Sequence, residues 1–138
     1  MKGYKIVLYS IHNNYYMNTI LNVSAIVNGV YDILCALCIL DIIYIPVINE
    51  LHISMIKDVE RNNPLMKRFM AYWIFTYGVL RIYGGYNMNY KLVAISYYIE
   101  ALLLSYENFV YKTLVFHKSM FVIGVSLFLG ILFDLHSP

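Results

Sequence analysis

The sequence predicts an all-α membrane protein, a bundle of four transmembrane helices with short connections. Three observations carry this. Hydrophobic residues make up 61% of the 138 and charged residues only 13%, against about 25% charged in a soluble domain. Such a chain lacks the polar surface that keeps a globule dispersed in water. Four stretches are long and apolar enough to cross a hydrocarbon core of about 30 Å at about 1.5 Å per helical residue. Each must satisfy its own backbone hydrogen bonds in lipid, which makes each a helix.

The first span covers residues 23–47, with Pro46 as its end or kink. A polar loop over 49–63 follows, the only sizeable charged one. Asn62-Asn63-Pro64 restarts the helix, since proline at the first helical position forfeits an N–H that has no partner anyway. The second span covers 65–83, and Gly84-Gly85 ends it. A tight polar turn holding Asn87 and Asn89 leads to the third span, 91–111. The fourth covers 114–133. Residues 1–22, rich in Tyr and Asn, read as an amphipathic stretch in the interface. Tyrosines cluster near the span ends (Tyr15, Tyr16, Tyr44, Tyr72, Tyr83, Tyr86, Tyr90, Tyr111), where a ring can be apolar and its hydroxyl wet. The chain is read as one polytopic domain, without internal repeats. Lys57, Arg61, Lys67, Arg68, Lys112 and Lys118 fall on one side, and Lys2, Lys5, Arg81 and Lys91 on the other. The positive-inside rule then leans toward a cytosolic 49–63 loop.

A pattern runs through the second and third spans. Pro64-Leu65-x-x-Arg68 is followed by Trp73, then by Arg81-Ile82-Tyr83-Gly84-Gly85-Tyr86-Asn87-Met88-Asn89. Tyr90, Ser96-Tyr97 and Glu107-x-Phe109-Val110-Tyr111-x-Thr113 complete it. In this spacing the chain resembles the ergosterol biosynthetic protein 28 family over residues 64–113, while residues 1–62 do not align well. Leu103 stands where the family has a histidine, and Leu135-His136-Ser137-Pro138 replaces the family's basic tail. The resemblance implies a non-enzymatic scaffold of the endoplasmic-reticulum membrane. It would bind a sterol C-4 methyl oxidase, a 3β-hydroxysteroid dehydrogenase/decarboxylase and a 3-ketosteroid reductase, besides membrane lipids. It also implies that Pro64, Arg68, Trp73, Arg81, Tyr83, Tyr86, Asn87, Asn89, Glu107, Tyr111 and Thr113 are structural or partner-binding residues.

Ionisable residues within spans are costly and face a partner or a cavity. Asp32, Asp41, Arg81, Glu100, Glu107 and Asp134 are of this kind. Arg68 and Glu107 lie at nearly equal distances from the turn near Asn87, so an Arg68–Glu107 ion pair is expected. Glu100 and Glu107 share one helix face two turns apart, a separation that suits polar anchors better than acid–base catalysis.

Catalytic motifs are not in evidence. Cys35 and Cys38 have metal or redox spacing but lie mid-span without a second pair, so they read as small core residues. The four histidines are scattered, and neither a dinucleotide-binding glycine motif nor a serine-nucleophile elbow occurs. The chain is therefore expected to carry no catalysis, cofactor or metal of its own. A net charge of +2 without a basic stripe gives no sign of nucleic-acid binding. Asn22-Val23-Ser24, a glycosylation sequon, abuts the first span and is expected to stay unmodified. Ser126-x-x-x-Gly130 permits close helix approach, internally or in self-association. Two alternatives to the scaffold remain. One is a structural membrane protein of an assembled particle or organelle. The other is a small transporter or lipid-binding bundle built on Asp32, Asp41 and Glu100.

Overall fold

The structure is a computed structural model that describes the backbone of residues 2–137, and the side chains from Tyr16 onward except Asn49. The helices are α1 (Lys2–Ile39), α2 (Pro46–Ile53), α3 (Asp58–Arg61), α4 (Pro64–Tyr86), α5 (Tyr90–Tyr106) and α6 (Phe116–Leu135). A π-helical turn, Glu107–Tyr111, extends α5. No strand occurs among the described residues; one isolated bridge, Ile56 to Leu114, joins the α2–α3 segment to the α5–α6 connection. Around it Lys57 donates its backbone N–H to Thr113 (3.0 Å) and Val115 donates to Met55 (2.7 Å).

Buried positions recur at helical spacing: Leu21, Ala25, Asp32, Cys35 and Ile39 on α1, and Ala71, Ile74, Gly78, Arg81 and Gly85 on α4. Such stripes bury one face of each helix. α1 lies antiparallel along α4, as Ala25 meets Gly85 while Asp32 meets Arg81. α5 returns along α4, and α6 packs antiparallel on α5. One apolar cluster holds Leu21, Ala25, Tyr90, Val93, Tyr97 and Phe133 near the α4–α5 turn. A second holds Cys35, Ala36, Ile39, Ala71, Ile74 and Tyr77 toward the opposite end. Cys35 and Cys38 are buried free thiols, consistent with small core residues.

The α1–α4 seam requires small residues. A Cβ on Gly78 would stand 2.7 Å from the Gly29 carbonyl oxygen, and one on Gly29 would stand 2.6 Å from that of Gly78. The backbones are therefore in direct contact. The Ser126/Gly130 pair serves an internal contact likewise, since a Cβ on Gly130 would meet the Tyr98 ring at 2.7 Å.

Helix boundaries differ from the expected spans, for a common reason. α1 stops at Ile39 rather than 47: Asp41 takes φ 56°, and Ile42 N–H reaches back to Leu37 (3.0 Å) while Asp41 N–H reaches Cys38 (3.1 Å). That is a Schellman turn with aspartate in the left-handed position. Pro46 consequently does not end α1; it opens α2, and much of the expected polar loop is helical. Gly84-Gly85 does not end α4. Both are buried inside it, Gly84 against Val93 and Gly85 against Ala25. The stop is a second Schellman turn with Met88 at φ 55°, and Asn89 N–H bonded to Gly84 (2.8 Å). Lys112, at φ 56°, closes the π turn. All three left-handed positions carry a side chain, so the glycine that marks such stops in sequence is missing. Pro64, in contrast, starts α4 as expected, with the Asn63 side chain accepting from Leu65 N–H (3.0 Å).

α1 is a continuous helix from Lys2, so the interfacial stretch read over 1–22 is the first part of that helix; the side chains of 1–15 lie outside the described residues. Among the described residues, two segments are long and apolar enough to cross a membrane: Tyr16–Ile39, and α6 at Phe116–Leu135. α4 carries Lys67, Arg68 and Arg81, and α5 proper has 17 residues.

Two outcomes follow. Met88→Gly removes a Cβ from a left-handed position and is expected to leave stability unchanged or raise it by up to about 1 kcal/mol, read as thermal unfolding in detergent. Gly78→Val drives a side chain into the Gly29 backbone and should cost about 1–3 kcal/mol or more; an unshifted unfolding midpoint would exclude the close seam.

Candidate functional site: a buried arginine network and an adjoining cavity

Arg81 is the largest fully buried side chain among the described residues, 1% exposed at the centre of the bundle. Its three donor groups each point at a different residue. Nη1 donates to Asp32 on α1 (2.5 Å), Nη2 to Glu100 on α5 (2.5 Å) and Nε to Ser96 on α5 (3.2 Å). The guanidinium lies 3.8 Å from the centroid of the Tyr97 ring. Glu100 also accepts from Ser126 on α6 (2.8 Å), and Tyr97 Oη accepts from Asn28 on α1 (2.5 Å). All four long helices thus meet at one cation. The fork geometry suits arginine, whose planar guanidinium can serve several acceptors at once. An unpaired charge in this apolar interior would be strongly disfavoured.

The expected Arg68–Glu107 pair is not formed. Ion pairs among the described residues are Arg61–Asp58, Arg81–Asp32 and Arg81–Glu100. Helical phase keeps the two apart. Thirteen residues at about 100° each put Arg68 about 220° round α4 from Arg81, on the exposed face. Glu107 faces inward with Glu100 and accepts from the Thr113 hydroxyl (2.6 Å). Asp41 is exposed at the end of α1, apart from Asp32 and Glu100, so these three acids do not form one polar path.

The remaining signature residues divide into two groups. Asn87 caps α4 with its side-chain nitrogen on Tyr83 O (2.9 Å), and Asn89 caps α5 by accepting from Leu92 N–H (3.1 Å). Tyr83 and Tyr86 point outward from α4, as does Tyr111, which meets Tyr106 edge to face at 5.3 Å. Trp73 is half-exposed and stacks on Tyr77 (6.5 Å). Sequence reasoning missed that Asp32, Ser96, Tyr97, Glu100 and Ser126 form one constellation with Arg81. A signal was present: Arg81 lies within an apolar stretch, well away from Lys67 and Arg68 at the start of α4, and Ser96 and Glu100 are one helical turn apart. Asn22 of the sequon is partly buried, with its backbone oxygen against Gly85.

Beside the network lies a cavity of about 260 Å³ between α4 and α5, closed at one end by α2 and Leu114. Its wall is apolar and aromatic, including Phe69, Trp73, Tyr77, Leu103 and Leu104. Three polar side chains interrupt it: His52, Glu100 and Glu107. The His52 Nδ1 is buried without a hydrogen-bond partner. Burial lowers the His52 pKa from the ordinary histidine range, against the opposing pull of Glu100, so the imidazole is neutral at pH 7. Leu103 contributes an apolar wall here.

Removing the cation should be costly. Arg81→Leu strands two carboxylates and is expected to lose about 3–5 kcal/mol. Glu100→Gln leaves Arg81 paired with Asp32 and should cost less than half as much. Thermal unfolding of the two variants in detergent checks this order; equal losses would show that Glu100 carries the network alone.

A family model described as Erg28 like protein matches residues 10–131. The match includes α1 from residue 10, and therefore Asp32, beyond the 64–113 pattern. No curated protein and no solved structure matches the chain. Since the match spans most of the sequence, from the first helix to the last, the chain belongs to the Erg28-like family, with a role in sterol biosynthesis and association with membranes.

Proposed function

We propose that the protein is a non-catalytic scaffold of the endoplasmic-reticulum membrane that holds the sterol C-4 demethylation enzymes together. In this reading α1, α4, α5 with its π turn, and α6 all span the bilayer. The observation that carries it is the division of α4 into two faces. One face is locked inside by Arg81 and the glycine seam. The other presents Leu65, Arg68, Tyr72, Val79, Tyr83 and Tyr86 at helical spacing, all exposed. Tyr and Arg are enriched among residues that dominate binding energy. A rigid bundle with such a stripe suits the docking of partner helices.

The partners in this reading are the sterol C-4 methyl oxidase, the 3β-hydroxysteroid dehydrogenase/decarboxylase and the 3-ketosteroid reductase. Tethering places successive enzymes at effective concentrations of about millimolar. Their apolar intermediates then need not leave the bilayer between steps. Arg81 is internal and drops out of the flank count, leaving Lys57, Arg61, Lys67, Arg68, Lys112 and Lys118 against Lys2, Lys5 and Lys91. This supports a cytosolic α2–α3 segment.

Isolation of the tagged protein from its native membrane in mild detergent tests the reading. The three enzymes are expected to co-purify, and Arg68→Ala with Tyr83→Ala should reduce their recovery at least about tenfold while thermal stability is retained. Undiminished recovery would remove the α4 stripe as the docking face. Recovery of other membrane components with no sterol enzyme would overturn the scaffold role.

A further inference from the structure

We infer that the cavity between α4 and α5 is a binding site for the hydroxyl-bearing end of an uncharged lipid alcohol. Three observations converge on this ligand. The wall holds two carboxylates and one imidazole but no Lys or Arg. An occupant must therefore donate hydrogen bonds without carrying negative charge, which excludes phosphate and carboxylate head groups. Arg81 is shared between Asp32 and Glu100, and Glu107 accepts from the Thr113 hydroxyl without an ion pair among the described residues. A cationic head would gain one pairing at Glu107 at the cost of its own desolvation, whereas a hydroxyl brings no charge to desolvate. His52 Nδ1 lacks a partner although the residue is only 9% exposed. A hydroxyl can donate to or accept from an imidazole nitrogen, whichever tautomer is present.

Size decides how much of the lipid enters. A cavity of about 150 Å³ accommodates benzene. In proportion, about 260 Å³ holds roughly ten heavy atoms, one end of a lipid and not the whole. The remainder would leave between α4 and α5 past Phe69 and Trp73, which line the cavity and are 55% and 45% exposed. Trp73 and Tyr77 offer flat apolar surface to the buried end. A ring alcohol and a straight-chain alcohol share this chemistry, and the experiment separates them.

Trp73 is the single tryptophan of the chain, so its fluorescence reports on this cavity. Full-length protein in detergent micelles is titrated with dehydroergosterol and with parinaryl alcohol, both of which accept energy from tryptophan, and with the acetate ester of each. Saturable quenching by at least one alcohol, and not by its ester, is expected; which alcohol quenches identifies ring or chain. Glu107→Leu should weaken that binding about tenfold, as loss of a hydrogen bond to a charged group does. Leu104→Phe, which fills the cavity with an apolar group, should abolish saturation while the unfolding midpoint stays unchanged. Equal, unsaturable quenching by alcohol and ester, or saturation that survives Leu104→Phe, would overturn the proposal. Enzyme co-purification is a separate measurement, so this site can fail while the scaffold stands, and the reverse.

Discussion

Everything in this bundle is arranged around a single buried guanidinium. Arg81 can stay charged in an apolar interior only if its donors are met, and they are met by residues on two other helices, α1 and α5. Ser126 brings in the fourth helix through Glu100. Because no single helix supplies the complete set, the charges are compensated only when the helices are assembled in the correct register. The pairing therefore does more to specify one arrangement than to add net stability, in line with the weak net worth of buried ion pairs.

The glycine seam is the geometric counterpart of that pairing. Gly29 lies one turn before Asp32, and Gly78 one turn before Arg81. Backbone contact at the glycines holds α1 and α4 close enough for the two charged side chains to meet. The outward face of α4 is left free of structural duty, with tyrosines and Arg68 at helical spacing. A division into a locked inner face and an available outer one is what the proposed scaffold role would use. The same inner packing leaves room beside Glu100 for the cavity lined by Trp73 and His52.

Much was legible in one dimension. The scarcity of charge and the long apolar stretches were enough to indicate an all-helical chain, although two segments and not four meet the length and hydropathy of a span among the described residues. Asn63-Pro64 located the start of α4, and the polar turn holding Asn87 and Asn89 marked the break before α5, because caps and turns are contacts within a few residues. The spacing from Pro64 to Thr113 was enough to indicate the family. The sequence also singled out Asp32, Arg81, Glu100 and Glu107 as costly groups needing partners.

Which partners they take was decided only in three dimensions. Depth along a hairpin can be counted from the turn, and it paired Arg68 with Glu107; rotation about each axis depends on how the faces pack, and it turned Arg68 outward and Arg81 inward. The helix stops at Asp41, Met88 and Lys112 were likewise hidden. Their left-handed turns form without the glycine that would announce them, while Gly84 and Gly85, which looked like a stop, are seated against Val93 and Ala25. Composition and local capping act within one segment and are written in the sequence. Ion pairing and close packing act between segments, so they exist only once the helices have met.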